Sequence, residues 1–106
     1  MNKKVLNTKT DFELADGSVV QLTLSYHSLY QLKPKKKSIY ERYNKIMTKG
    51  PEEELENVTI LYTAYLCANV NNIDECMDEL TFLSLMPSNR QYVGEIISEL
   101  INPKKK

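Results

Sequence analysis

Between Val58 and Val70 the chain carries Ile60, Leu61, Tyr62, Ala64, Tyr65, Leu66, Cys67 and Ala68, so apolar or aromatic side chains occupy nearly every angle of a helical wheel. A helix without a polar face cannot lie on a surface. It has to be covered on most sides, which makes it the centre around which the other segments pack. Ahead of it, Pro51 followed by Glu52, Glu53 and Glu54 predicts a helix start, because the free amides of a first turn favour negative charge. The helix is expected to run to about Asn69.

The remaining segments supply the cover. Phe12 and Leu14 alternate with polar neighbours, Asp16-Gly17 offers a turn that tolerates positive φ, and Val20, Leu22 and Leu24 resume the alternation. This is a β-hairpin with one apolar face, and two strands alone are marginal, so helices must close that face. Leu29 and Leu32 mark a short helix that Pro34 is expected to terminate, with Lys33, Lys35, Lys36 and Lys37 forming a basic linker. Ser38, three residues before Glu41, has the capping-box spacing for a second helix bearing Ile39, Tyr43, Ile46 and Met47. Gly50-Pro51 then provides a stop and a new start.

After the central helix, Asn69 to Asp74 reads as a polar loop. Asp78 is a suitable cap for a helix carrying Leu80, Phe82, Leu83, Leu85 and Met86 up to Pro87. Ser88 with Gln91 repeats the capping-box spacing before a final helix with Tyr92, Val93, Ile96, Ile97, Leu100 and Ile101, ended by Pro103. The expected fold is α+β and mainly α: an N-terminal hairpin on a bundle of four to five helices. It forms one domain divided into a polar arm (1–10), the hairpin (11–25), a helical body (27–102) and a basic tail (103–106).

Composition narrows the function. With 106 residues, 42% of them hydrophobic and 26% charged, the chain has the ordinary mixture of a folded domain. Fourteen basic and fourteen acidic side chains cancel, so no overall field draws it to nucleic acid or to an anionic membrane. No apolar run approaches the roughly 18 residues needed to span a bilayer, and the opening residues lack the apolar core of a secretory signal. A cytoplasmic protein is expected.

Sites for chemistry are hard to assemble from these residues. His27 is the single histidine and has no partner at ligand spacing, while Cys67 and Cys76 fit no zinc or redox pattern. Glycines at positions 17, 50 and 94 cannot form a phosphate loop. The acids at Glu52 to Glu56 and Asp74 to Glu79 read as charge at helix starts. No catalytic residue, metal ligand or cofactor is therefore expected. Seven tyrosines with the lysine cluster are the ingredients of a single-strand binder, but Tyr43, Tyr62 and Tyr65 lie among aliphatic neighbours and read as core or core-edge residues with hydroxyls reaching water.

One surplus is left over. The six large apolar positions of the last helix span roughly 180° of the wheel, wider than the ~100° stripe that one core requires. Tyr92, Ile96, Leu100 and Ile101 are accordingly the candidate partner-binding residues, for self-association or for a client. A small domain that wraps this helix deeply would give the same pattern.

Phe12-Glu-Leu-Ala-Asp-Gly, Ser28-Leu-Tyr-Gln-Leu-Lys, Leu61-Tyr-Thr-Ala-Tyr-Leu-Cys-Ala-Asn, Phe82-Leu-Ser-Leu-Met-Pro and Asn102-Pro-Lys-Lys-Lys, in this order and spacing, give a chain that resembles the tail assembly chaperones of siphophages and prophages of Gram-positive bacteria. None of these segments is a chemical motif, and the likeness extends over nearly the whole chain. The resemblance implies a non-enzymatic protein of the bacterial host cytoplasm, not expected in the mature virion. Such a protein would bind the tape-measure protein, keep it soluble and assist tail-tube subunits in assembling around it. It also implies a longer form made by ribosomal frameshifting, for which the codons of Lys104, Lys105 and Lys106 are the candidate slip site. The alternative readings are a small regulatory or adaptor protein of a mobile element and a nucleic-acid-binding module.

Overall fold

A computed structural model describes residues 9–102; the expected basic tail and all but the last two residues of the expected polar arm lie outside them. Two antiparallel strands, β1 (Thr10–Glu13) and β2 (Val19–Leu22), precede five α-helices: α1 (Tyr26–Lys35), α2 (Lys37–Lys49), α3 (Glu54–Ala68), α4 (Glu79–Ser84) and α5 (Arg90–Ile101). The fold is α+β and mainly helical, as the change of periodicity implies.

Phe12 pairs with Val20 and Thr10 with Leu22, which places Phe12 and Leu22 on the covered face, where both are fully buried. Gly17 turns the hairpin at φ +90°, a backbone region that favours glycine. Three backbone contacts tie this marginal ribbon to the helices: the Thr23 amide donates to the Ala64 carbonyl (3.2 Å), the Ala15 amide to the Leu85 carbonyl (2.8 Å), and the Glu13 amide to the Tyr92 hydroxyl (2.8 Å). α3 is the hub. It packs against β2, α1, α2, α4 and α5, and every residue from Thr59 to Cys67 is buried.

Several local expectations need correction. Pro34 does not terminate α1, which continues to Lys35 and closes where the Lys36 amide donates to the Leu32 carbonyl at 2.8 Å. A proline in the last turn forfeits a single helical hydrogen bond there, too little to stop the helix ahead of it. The four lysines consequently form no linker. Lys36 alone breaks the helical geometry (φ −137°, ψ 68°), and α2 begins at Lys37. Ser38 therefore lies inside α2 and does not cap it.

Two other helix starts, those of α3 and α5, shift as well. Glu53 and Glu56 form the capping box of α3, Glu56 accepting from the Glu52 and Glu53 amides at 2.7 and 3.3 Å. Asp78 caps α4 as expected, accepting from the Thr81 amide at 2.9 Å. α4 ends at Ser84, short of Leu85 and Met86. The cap of α5 is Asn89, accepting from the Tyr92 amide at 3.0 Å, and not Ser88. The segment expected to be a polar loop is a kinked 3₁₀ turn, Val70–Glu75, with Val70 buried.

A candidate docking trough

The breadth of the apolar arc on α5 is accounted for mainly by the fold. Ile96 and Leu100 are both buried, so packing within the domain accounts for most of their apolar surface, and Ile96 is corrected from a free partner surface to core. Tyr92 is half-buried: its ring stacks on Phe12 at 5.6 Å with an interplanar angle of 11°, and its hydroxyl accepts from the Glu13 amide. β1 packs against α5, so part of the helix's wide apolar arc covers the strand. Ile101 is half-buried against the same core.

Leu100 and Ile101 nevertheless line one end of a surface trough. Two open clefts of about 400 and 430 Å³ share Tyr26, Leu29, Tyr43 and Met47 and run into each other. The first continues to Leu24, Leu100 and Ile101; the second continues between α1 and α2 to Tyr30, Lys33, Tyr40 and Asn44. Antiparallel packing of α1 and α2 builds this second half. Tyr26, Tyr30 and Lys33 recur at helical spacing on α1, while Tyr40, Tyr43, Asn44 and Met47 face them from α2.

Burial divides the rings of the trough. Tyr43 is buried and its hydroxyl pKa is pushed up to about 12 by burial, first of all, and then by neighbouring ionisable groups, so it remains neutral. Tyr26 and Tyr30 stand 91% and 80% exposed, the most exposed of the large apolar or aromatic side chains among the described residues. The Lys33 ammonium lies 5.4 Å from the centroid of the Tyr40 ring. Sequence reasoning missed Tyr26, Tyr30 and Tyr40. The available signal was the recurrence of Tyr26, Tyr30 and Lys33 at i, i+4 and i+7, offset from the Leu29 and Leu32 stripe that faces the core.

Other polar groups are occupied with the fold. Arg42 reaches Glu79 with both terminal nitrogens (3.0 and 2.5 Å) and Thr59 Oγ1 at 3.2 Å, joining α2 to α3 and α4, and its hydrogen bond to Glu79 raises its pKa. The hydroxyls of Tyr62 and Tyr65 bind the backbone of Met77, one donating to its carbonyl (2.9 Å) and one accepting from its amide (3.0 Å), and do not simply reach water. Burial pushes the Cys67 thiol up to about 12, so it stays protonated and unreactive. Among the described residues no group of three His, Cys, Asp or Glu side chains could hold a metal ion, and no helix is long and apolar enough to cross a membrane.

Comparisons with family models, with curated proteins and with solved structures give no match to this chain.

Proposed function

We propose that this chain is a client-binding protein of the host cytoplasm that shields a helical segment of an unassembled partner, and that it serves as the tail assembly chaperone of a long-tailed phage or prophage. The observation that carries the binding role is the trough itself. Two tyrosines stand almost wholly in water beside an aliphatic floor, and an amphipathic partner helix would cover both. Tyrosine suits such a surface because it contributes large contact area at low side-chain entropy cost and keeps a polar tip for the unbound state. The resemblance noted above supplies the client, the tape-measure protein, with tail-tube protein as the later partner.

Co-expression tests this directly. The tape-measure protein encoded near this chain should remain soluble and co-elute with it, and Tyr26→Ser with Tyr30→Ser should abolish co-elution while the chain stays folded. A client that is equally soluble without this chain, or that co-elutes equally with the double variant, would sink the proposal.

A further inference from the structure

The zero net charge of the chain conceals a segregation. Residues 26–49, which hold α1 and α2, carry Lys33, Lys35, Lys36, Lys37, Arg42, Lys45 and Lys49 against the single acid Glu41. The other described residues carry thirteen acids against Lys9 and Arg90. The tyrosine trough lies on the basic part. Its charged lining residue is Lys33, and Lys37 stands one turn before Tyr40 on α2, with both lysines exposed.

We infer that the trough is built for an acidic amphipathic helix: a segment whose apolar stripe fills the floor formed by Leu29, Tyr43, Met47 and Ile101 and whose carboxylates lie toward Lys33 and Lys37. This rests on the binding role proposed above and specifies the chemistry of the client segment. The trough is graded along its length. Leu24, Leu100 and Ile101 make one end aliphatic, and Lys33 makes the other cationic. Such a gradient fixes the direction and register of a bound helix, because a carboxylate drawn to the aliphatic end would lose solvation without gaining a partner. A single-stranded nucleic acid fits less well, since its phosphates recur along the whole strand while, among the described residues, the cationic lining is confined to one end. Nor is a second copy the favoured occupant. The exposed leucines of the acidic part, Leu55 on α3 and Leu80 and Leu83 on α4, do not form one long helical stripe, since α4 is only six residues long.

The test titrates the full chain into labelled synthetic probes: an 18-residue helical peptide with a leucine stripe flanked by glutamates, the same peptide with lysines at those positions, and oligo(dT). The glutamate peptide should bind about tenfold tighter than the lysine peptide at low salt, and the gap should narrow as salt rises. Lys33→Glu with Lys37→Glu should reverse the order of the two peptides while the circular dichroism spectrum is unchanged. Equal binding of the peptides, preference for the lysine peptide, or tighter binding of oligo(dT) would overturn the inference. So would self-association that the glutamate peptide cannot displace. If the client co-elutes while the glutamate peptide fails, the inference falls and the chaperone reading stands; if the client fails as well, both fall.

Discussion

The seven tyrosines divide between two regions that treat the same side chain in opposite ways. Around α3, Tyr62, Tyr65 and Tyr92 join Phe12 and Phe82 in one aromatic cluster, with ring centroids 5.4 to 6.4 Å apart and each of the three hydroxyls bonded to a backbone group. On α1 and α2, Tyr26 and Tyr30 face water and only Tyr43 is rooted in the core. Fixed hydroxyls and mutual stacking make the first group part of what holds the fold. In the second group the rings of Tyr26 and Tyr30 retain apolar area that folding has not covered, and that area is available to a partner. Whether a tyrosine is structural is thus decided by its neighbours on other elements, which helical spacing alone does not reveal.

The largest effect should come from the centre of the first region. Phe82 is fully buried, stacks on Tyr65 at 5.4 Å and also meets Tyr62 and Phe12. Replacing it by alanine removes the ring on which the hairpin, α3 and α4 converge. Phe82→Ala should cost about 3–5 kcal/mol by urea denaturation. That is much of the total for a domain whose stability is about 5–15 kcal/mol. A loss below about 1 kcal/mol would mean that the cluster is not central and that the contrast with the trough is false.

Alkaline titration offers the next contrast, because buried groups hold their protons longer than the unfolded chain does. Burial pushes Tyr43 and Tyr62 up to about 12 from an ordinary value of 10.0, and Cys67 up to about 12 from 9.0. For each group the folded pKa is the higher, so its stabilising contribution is complete below the unfolded pKa and is lost as pH rises through the folded one. Stability should therefore hold to about pH 9 and decline toward about pH 12. Urea midpoints across that range check this, and Cys67→Ala should flatten the earliest part of the decline. A pH-independent midpoint between pH 9 and 11 would show that these groups are accessible to water.

The contrast between the two regions also explains what could be read from the sequence and what could not. The wheel of Val58 to Val70 identified the central helix because total burial needs no knowledge of the neighbours. Alternation about Asp16-Gly17 located the hairpin for a similar reason, since its signals lie within a few residues. The breadth of the α5 arc misled because the packing of β1 on α5 is a contact between residues such as Glu13 and Tyr92 that are far apart in the chain. Pro34 misled in the other direction, because one missing amide near the end of a helix is a weak stop once α1 and α2 pack on α3. Tyr26 and Tyr30 went unremarked because their exposure depends on where α2 leaves room.

A smaller effect separates two neighbouring residues at the start of α5. Asn89 accepts from the Tyr92 amide, and Tyr92 is the residue that binds the hairpin. Asn89→Ala should cost about 1 kcal/mol through loss of the cap. Ser88→Ala should leave the midpoint within about 0.5 kcal/mol, because Ser88 lies outside the helix and is exposed. Equal losses from both would indicate that Ser88 shares the capping.

The smallest effect on stability belongs to the exposed tyrosines and carries the most information about function. Tyr26 and Tyr30 occupy the outer face of α1, whose inward face is Leu29 and Leu32, and the cap of α1 is the Ser25 hydroxyl accepting from the Ser28 amide at 3.2 Å. Neither tyrosine is needed for either feature. Tyr26→Ser with Tyr30→Ser should change the urea midpoint by no more than about 0.5 kcal/mol, as is usual for exposed positions outside caps and cores. The same double variant should lose client and glutamate-peptide binding, which is a dissociation that no core substitution can mimic. Phe82→Ala would reduce binding only in proportion to the fraction unfolded. Should the double variant instead unfold the domain, the two rings would be structural after all, and the outer face of α1 would have to be assigned to the core of the protein rather than to a partner.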